Sequence, residues 1–232
     1  MPNGIIHQSG KVTIPTILTR KPLFCTPPIP ARFRSICSPG YVNIFKFGLG
    51  NKNLWGTETM FGDWNGEYLL VAKDFYPASY IRLLQAAGEK YPYRHHPGIH
   101  SNTKLMNILH RDFKILRIDA LGSDGNCSCN FLYISACFLL RDDGVISGAL
   151  PEGGDAAMEA SEPVVLWTMG KENMPNLKNI VAMGDDAKRA LERGPIAEMI
   201  RRRKLRHFTV PHPSRGSLAK RTERWAPVFD AD

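Results

Sequence analysis

The first 57 residues contain no aspartate or glutamate, yet they hold seven lysines and arginines. A stretch with charge of one sign cannot pair within itself, so its counterpart is a polyanion or water. Long apolar runs are also missing. The longest, Phe131 to Leu140, is ten residues and contains Ser135, whereas a bilayer-spanning helix needs about 20. Cysteine is sparse, with five residues at 25, 37, 127, 129 and 137. An odd number at irregular spacing excludes a regular disulfide framework, and the thiols are expected to be reduced and intracellular. Cys127-Ser128-Cys129 has a single intervening residue, tighter than the usual zinc spacing of about two to four. The polar start, Met1 to Gly10, is expected not to be a secretion signal. No Gly-x-Ser-x-Gly occurs, which excludes a serine nucleophile elbow.

What is present points to a globular body with basic flanks. Hydrophobic content is 43% and charged content 22%, which excludes a wholly disordered chain and a coiled coil. Seventeen prolines and twenty glycines favour many loops over a helical bundle. The net charge of +8 is uneven: +7 over 1–57, −6 over 58–187, +9 over 188–224 and −2 over the last eight residues. Such flanks attract polyanions, of which phosphate backbones are the commonest. Residues 1–57 read as a basic, Pro-rich N-terminal extension. Thr26-Pro27-Pro28-Ile29-Pro30 in particular cannot be helix interior. The extension reads as a nucleic-acid-binding arm or as a non-native extension from a misplaced start. Its lack of acids resembles an organelle transit segment, without the amphipathic Arg/Ser-rich start of one. Residues 58–232 are expected to form one domain.

Within that domain, continuous apolar runs alternate with helical spacing. Tyr68–Ala72, the start of Phe131–Leu140, Asn179–Met183 and Phe208–Val210 read as buried strands. Helical patterns fall at 78–90, 103–111, 162–170, 185–193 and 218–225. The alternation predicts an α/β fold in one domain with a largely parallel central sheet. Ligands in such sheets bind beyond the carboxyl ends of the strands, so those ends are where chemistry is expected.

Two strand ends carry it. Asp74 follows the first strand in Ala72-Lys73-Asp74-Phe75-Tyr76. A carboxylate there can hold water or face a developing cation, or it can cap the helix that follows. His212 follows the last strand in Pro211-His212-Pro213-Ser214, with Arg215, Gly216 and Ser217 next. Two prolines restrict the backbone around this imidazole, which can donate to a developing anion, while serines and backbone N–H groups can grip phosphates. The third end, Met183-Gly184-Asp185, reads as a structural strand-to-helix step.

In this order the pieces resemble the uracil-DNA glycosylase superfamily over about residues 65–225. One family motif is a strand ending in Gly-Gln-Asp-Pro-Tyr, matched here at Asp74 and Tyr76; the other is a strand followed by His-Pro-Ser, matched at His212-Pro213-Ser214. The resemblance implies a three-layer α/β/α sandwich and hydrolysis of the N-glycosidic bond of uracil in DNA. It makes Asp74 and His212 catalytic and places Lys73, Phe75 and Tyr76 at the substrate, with Tyr76 crowding the 5-position. Tyr91 or Tyr93 would stack on the flipped base. Ser135 stands where the family carries a uracil-reading Asn, and a hydroxyl offers a different hydrogen-bond pattern from an amide. Ser214 and Ser217 would bind phosphates, and Arg215 or Leu218 would fill the gap left by the base.

No metal, iron–sulfur cluster or organic cofactor is expected, because uracil is a tolerable leaving anion once hydrogen-bonded. The histidines 95, 96, 100 and 110 match no common ligand spacing. The expected partner is DNA, met by a monomer in the cytoplasm, with no membrane. The alternative is a glycosylase-fold protein that binds uracil-containing or abasic DNA without turnover, or captures the abasic sugar through His100. The run Arg201-Arg202-Arg203-Lys204 is expected to contact phosphates near the site. If the basic flanks serve DNA, duplex affinity falls with salt, with a log–log slope of about −0.9 per neutralised phosphate. Fluorescence anisotropy across a salt series measures it, and a flat profile removes the polyanion reading.

Overall fold

The computed structural model describes residues 27–46, 60–75, 77–86, 116–118, 127–142, 150–212 and 218–229. Two short 3-10 helices, Ala31–Ser35 and Ile44–Lys46, flank strand β1 (Tyr41–Asn43). There follow β2 (Phe61–Gly62), β3 (Tyr68–Ala72), α1 (Ala78–Ala86), β4 (Leu116–Ile118), β5 (Cys127–Cys129), β6 (Phe131–Ser135) and β7 (Leu139–Arg141). The rest is α2 (Gly154–Thr168), β8 (Asn179–Met183), α3 (Asp185–Leu191), α4 (Gly194–Arg203), β9 (Arg206–Val210) and α5 (Leu218–Phe229).

The fold is mixed α/β around a sheet ordered β2-β6-β3-β8-β9. The last four of these strands are mutually parallel, and β2 joins β6 antiparallel at the edge. Every residue of β3, β6 and β8 is buried, as their unbroken apolar sequences require of parallel strands covered on both faces. In register, Leu69 lies beside Leu132 and Ile180, and Val71 beside Ile134 and Ala182. These residues face one core, shared with Ala157, Val164 and Val165 of α2, Ala187 and Leu191 of α3, and Ile196 and Ile200 of α4. Alternation turns Tyr68 to the other face, where its ring meets Phe229 of α5 at 5.3 Å.

Several elements differ from expectation. The buried strand expected at 208–210 begins at Arg206 and is only partly buried, and helix α4 has no counterpart among the expected helices. The helix expected at 162–170 begins at Gly154 and runs through Pro163. That proline is exposed, so water can take the carbonyl it leaves without a partner. The Phe131–Leu140 run is two strands, broken at Ala136-Cys137-Phe138. The expected helix at 103–111 lies outside the described residues.

Part of the stretch expected to be an extension is folded into the body. Strand β1 pairs antiparallel with β7, setting Tyr41 opposite Arg141 and Asn43 opposite Leu139. Phe33, Ile44 and Phe45 are buried in the main core. Phe33 meets the Trp167 ring edge-on at 5.5 Å, and Phe45 stacks on Phe138 at 5.7 Å. The buried Asn43 ties the segment together. Its Nδ2 donates to the carbonyls of Phe33 (2.9 Å) and Ile36 (2.7 Å), and its Oδ1 accepts from the Phe45 amide (2.7 Å). The domain therefore takes in residues 27–46, ahead of the expected boundary at 57. Aromatic burial outweighs the proline content and one-sided charge that suggested a leader. Phe33→Ala should lower the unfolding free energy by about 3–5 kcal/mol. Urea denaturation tests this, and an unchanged midpoint would return the segment to a loose arm.

Candidate functional site

Parallel register brings the carboxyl ends of β6, β3, β8 and β9 to one sheet edge. Ser135 closes β6 opposite Ala72, and Val210 closes β9 opposite Met183. Pairing continues past the strands. The Ala136 amide donates to the Ala72 carbonyl (2.7 Å), the Cys137 amide to Lys73 (2.9 Å), and the Gly184 amide to Val210 (2.8 Å). Asp74, Ser135, Gly184 and His212 therefore emerge along a single edge. Adjacent strands lie about 4.8 Å apart, so the backbones of β3 and β9 are about 10 Å apart across β8. Gly184 has φ +94°, a conformation that favours glycine, and a Cβ there would stand 3.7 Å from His212 Cβ. The half-buried His212 thus sits over the start of α3.

Asp74 is held by cations. Arg141 Nε, from the end of β7, lies 2.9 Å from Asp74 Oδ2, and Lys73 Nζ lies 3.5 Å from Oδ1. The Arg141 side chain is 2% exposed and that of Asp74 is 9%. The Arg141 contact has the distance of an ion pair without the alignment of a hydrogen bond. Burial pushes the Asp74 carboxyl above its ordinary range, while Lys73 and Arg141 pull it down and Asp186 of α3 adds to the upward push. Asp74 does not cap the following helix, since α1 begins four residues later at Ala78. Nearby, the Cys137 thiol donates to the Leu139 carbonyl at 3.2 Å. Burial pushes it up to about 12, which makes it an inert packing group.

The other expected site residues divide. Ser135 is at the edge, fully buried, and its Oγ has no hydrogen-bond partner among the described residues. Lys73 is also there, as the second cation on Asp74. Phe75, expected at the substrate, is buried in the core with its ring against Phe138 at 5.7 Å. It packs because the backbone after β3 turns that side chain inward. Leu218 is the first residue of α5. Tyr76, Tyr91, Tyr93, Ser214, Arg215 and Ser217 lie outside the described residues, as do His95, His96, His100 and His110. Sequence reading overlooked Arg141. The available signal was an arginine directly closing a ten-residue apolar run, where a charge needs a buried partner.

The basic block stands at the opposite edge. Arg201, Arg202 and Arg203 end α4, just ahead of β9, whose first residue pairs with the first residue of β8. The length of β9, about 15 Å, separates them from His212. That amino edge has its own polar links: Lys178 Nζ to Glu67 Oε1 at 2.5 Å, and Arg206 Nε to Asn179 Oδ1 at 2.7 Å. Arg203 is committed to the fold. Its guanidinium donates to the Met169 carbonyl, at the end of α2, and to the Met174 carbonyl (3.0 Å). Arg201 and Arg202 are exposed. The block is thus not beside the catalytic candidates, because helix α4 runs back along the sheet before β9 starts.

Among the described residues, no group of three or more His, Cys, Asp and Glu is disposed to hold a metal ion, and no helix is long and apolar enough to cross a membrane. No protein-family model matches the chain, and no curated protein matches it. The division of the basic block predicts unequal effects. Arg203→Ala should cost about 1–3 kcal/mol through its lost carbonyl contacts, whereas Arg201→Ala and Arg202→Ala should each stay within about 0.5 kcal/mol of the parent. Denaturant melts of the three single variants check the order.

Proposed function

We propose that the chain is a monofunctional DNA glycosylase of the uracil-excising type, on the three-layer α/β/α arrangement of that superfamily. The observation that carries the reading is the shared edge. Asp74 and His212, far apart in sequence and each following a sheet strand, stand on either side of β8 with a buried hydroxyl at Ser135 on the same edge. A span of about 10 Å suits a deoxyribose–base unit lying between a group that faces a cation and one that faces an anion.

In this mechanism the nucleotide leaves the stack at a cost of a few kcal/mol. The bond between C1′ and N1 breaks with its electron pair going to uracil. The Asp74 carboxylate faces the oxocarbenium-like sugar and orients water at C1′. His212 donates to the uracil carbonyl oxygen and stabilises the departing anion. Water adds to C1′ and gives its proton to the Asp74 carboxylate, leaving an abasic site. Ser135 would read the base edge in place of the family's amide. The DNA strand would be gripped by Ser214 and Ser217, with Arg215 or Leu218 occupying the vacated stack.

A second reading rests on the Asp74–Arg141 contact. A carboxylate whose charge is offset by a buried guanidinium has less to offer a sugar cation. In that case the chain binds uracil-containing or abasic DNA without turnover.

Incubation with single- and double-stranded uracil oligonucleotides, then alkali and denaturing electrophoresis, separates the readings. Cleavage is the expected result, and Asp74→Asn and His212→Ala should each slow single-turnover excision by about two to three decades while DNA affinity persists. A gel shift without cleavage by the parent protein supports the second reading.

A further inference from the structure

We infer that Arg141 is the positioning residue of Asp74: its guanidinium keeps the buried carboxylate ionised, with the N-terminal segment as its support. The catalytic part of this inference rests on the glycosylase reading above.

The argument starts from burial. A carboxylate this enclosed becomes neutral unless cations face it, and a neutral acid can neither oppose a sugar cation nor accept a proton from water. Among the described residues, the groups facing Asp74 are Lys73 from its own strand end, Arg141 from β7, Asp186 from α3 and the Cys137 thiol from the β6–β7 link. Asp186 works against ionisation, although its own charge is taken up by Arg189 Nη2 at 2.5 Å. The Cys137 thiol, pushed up to about 12, brings no charge at neutral pH. Lys73 is more exposed and more distant than Arg141. Arg141 is the nearer cation and is always charged.

Its placement is built. The amides of Ala136 and Cys137 stay hydrogen-bonded to Ala72 and Lys73, so β7 begins beside the end of β3. Strand β7 is then zipped to β1 along Tyr41–Arg141, Val42–Leu140 and Asn43–Leu139. Asn43 in turn anchors the backbone at Phe33, Ile36 and Phe45. A continuous path of contacts thus joins the buried Phe33 to the Asp74 carboxylate.

The test uses the full-length chain as parent, Arg141→Gln and Arg141→Lys. Two quantities are read: the pH profile of single-turnover uracil excision, and the carbon-13 NMR titration of the Asp74 carboxyl, identified by its absence from Asp74→Asn. The parent carboxyl should titrate below neutral pH. In Arg141→Gln the titration midpoint and the acid limb of the rate profile should rise together by about one to three pH units, so that activity lost at neutral pH partly returns at higher pH. Arg141→Lys should keep the parent midpoint and the parent shape of the rate profile, because the charge is retained. If Arg141→Gln does not fold, the parent and the lysine variant carry the test. A parent Asp74 still protonated at neutral pH overturns the inference. So does an Arg141→Gln variant with an unchanged midpoint, or one slowed equally at every pH. If the midpoint moves but the parent excises no uracil, the glycosylase reading falls and the ionising role of Arg141 stands. Excision with an immobile midpoint does the reverse.

Discussion

The parallel register of β6, β3, β8 and β9 is the constraint on which the rest depends. All residues of the first three of these strands are buried, so a slip of one residue would exchange the faces of an entire strand. Leu69, Val71, Leu132, Ile134, Ile180 and Ala182 would leave the core that they share with α2, α3 and α4. The same register levels the strand ends. Asp74, Ser135, Gly184 and His212 share an edge because the strands carrying them start level, not because the four residues attract one another. Gly184 adds a local requirement: its positive φ starts α3 while leaving room for His212.

A second dependence runs through charge. Asp74 and Arg141 are taken out of water together, and each is costly without the other. Their meeting depends on the placement of β7, which is held by β1. Residues 27–46 therefore serve the site through β7. Their aromatic side chains enter the core, their backbone pairs with β7, and the last residue of β7 reaches the carboxylate. This couples the stability of the N-terminal segment to the electrostatics of the edge.

The two sheet edges differ in use. At the amino edge, Lys178–Glu67, Arg206–Asn179 and the Arg203 contacts with main-chain carbonyls tie loops to the sheet. The exposed Arg201 and Arg202 add positive charge there. At the carboxyl edge Ser135 and the Asp74 and Arg141 side chains are enclosed among the strand ends, with His212 half-buried on the same edge. Positive charge and candidate chemistry, adjacent in a reading of the sequence, are thus set apart by the length of β9.

By itself the sequence determined the class of fold and the strand ends. Tyr68–Ala72 and Asn179–Met183 are legible to the residue, because a strand buried on both faces must be written as an unbroken apolar run. Asp74 and His212 are legible as polar residues two positions past a strand, although the second strand, β9, is only partly buried. Only the tertiary structure decided how those ends are occupied. Phe75 went to the core, since the direction of a side chain past a strand end depends on the local turn. Arg203 became a cap for carbonyls that belong to residues 29 and 34 positions away. Phe33 and Asn43 entered the body because burial rewards contacts that composition and charge cannot display. Arg141 found Asp74 at a separation of 67 positions, and ion pairing at that separation leaves no periodic trace in a chain, because it is set by where two strands end and not by what lies between them.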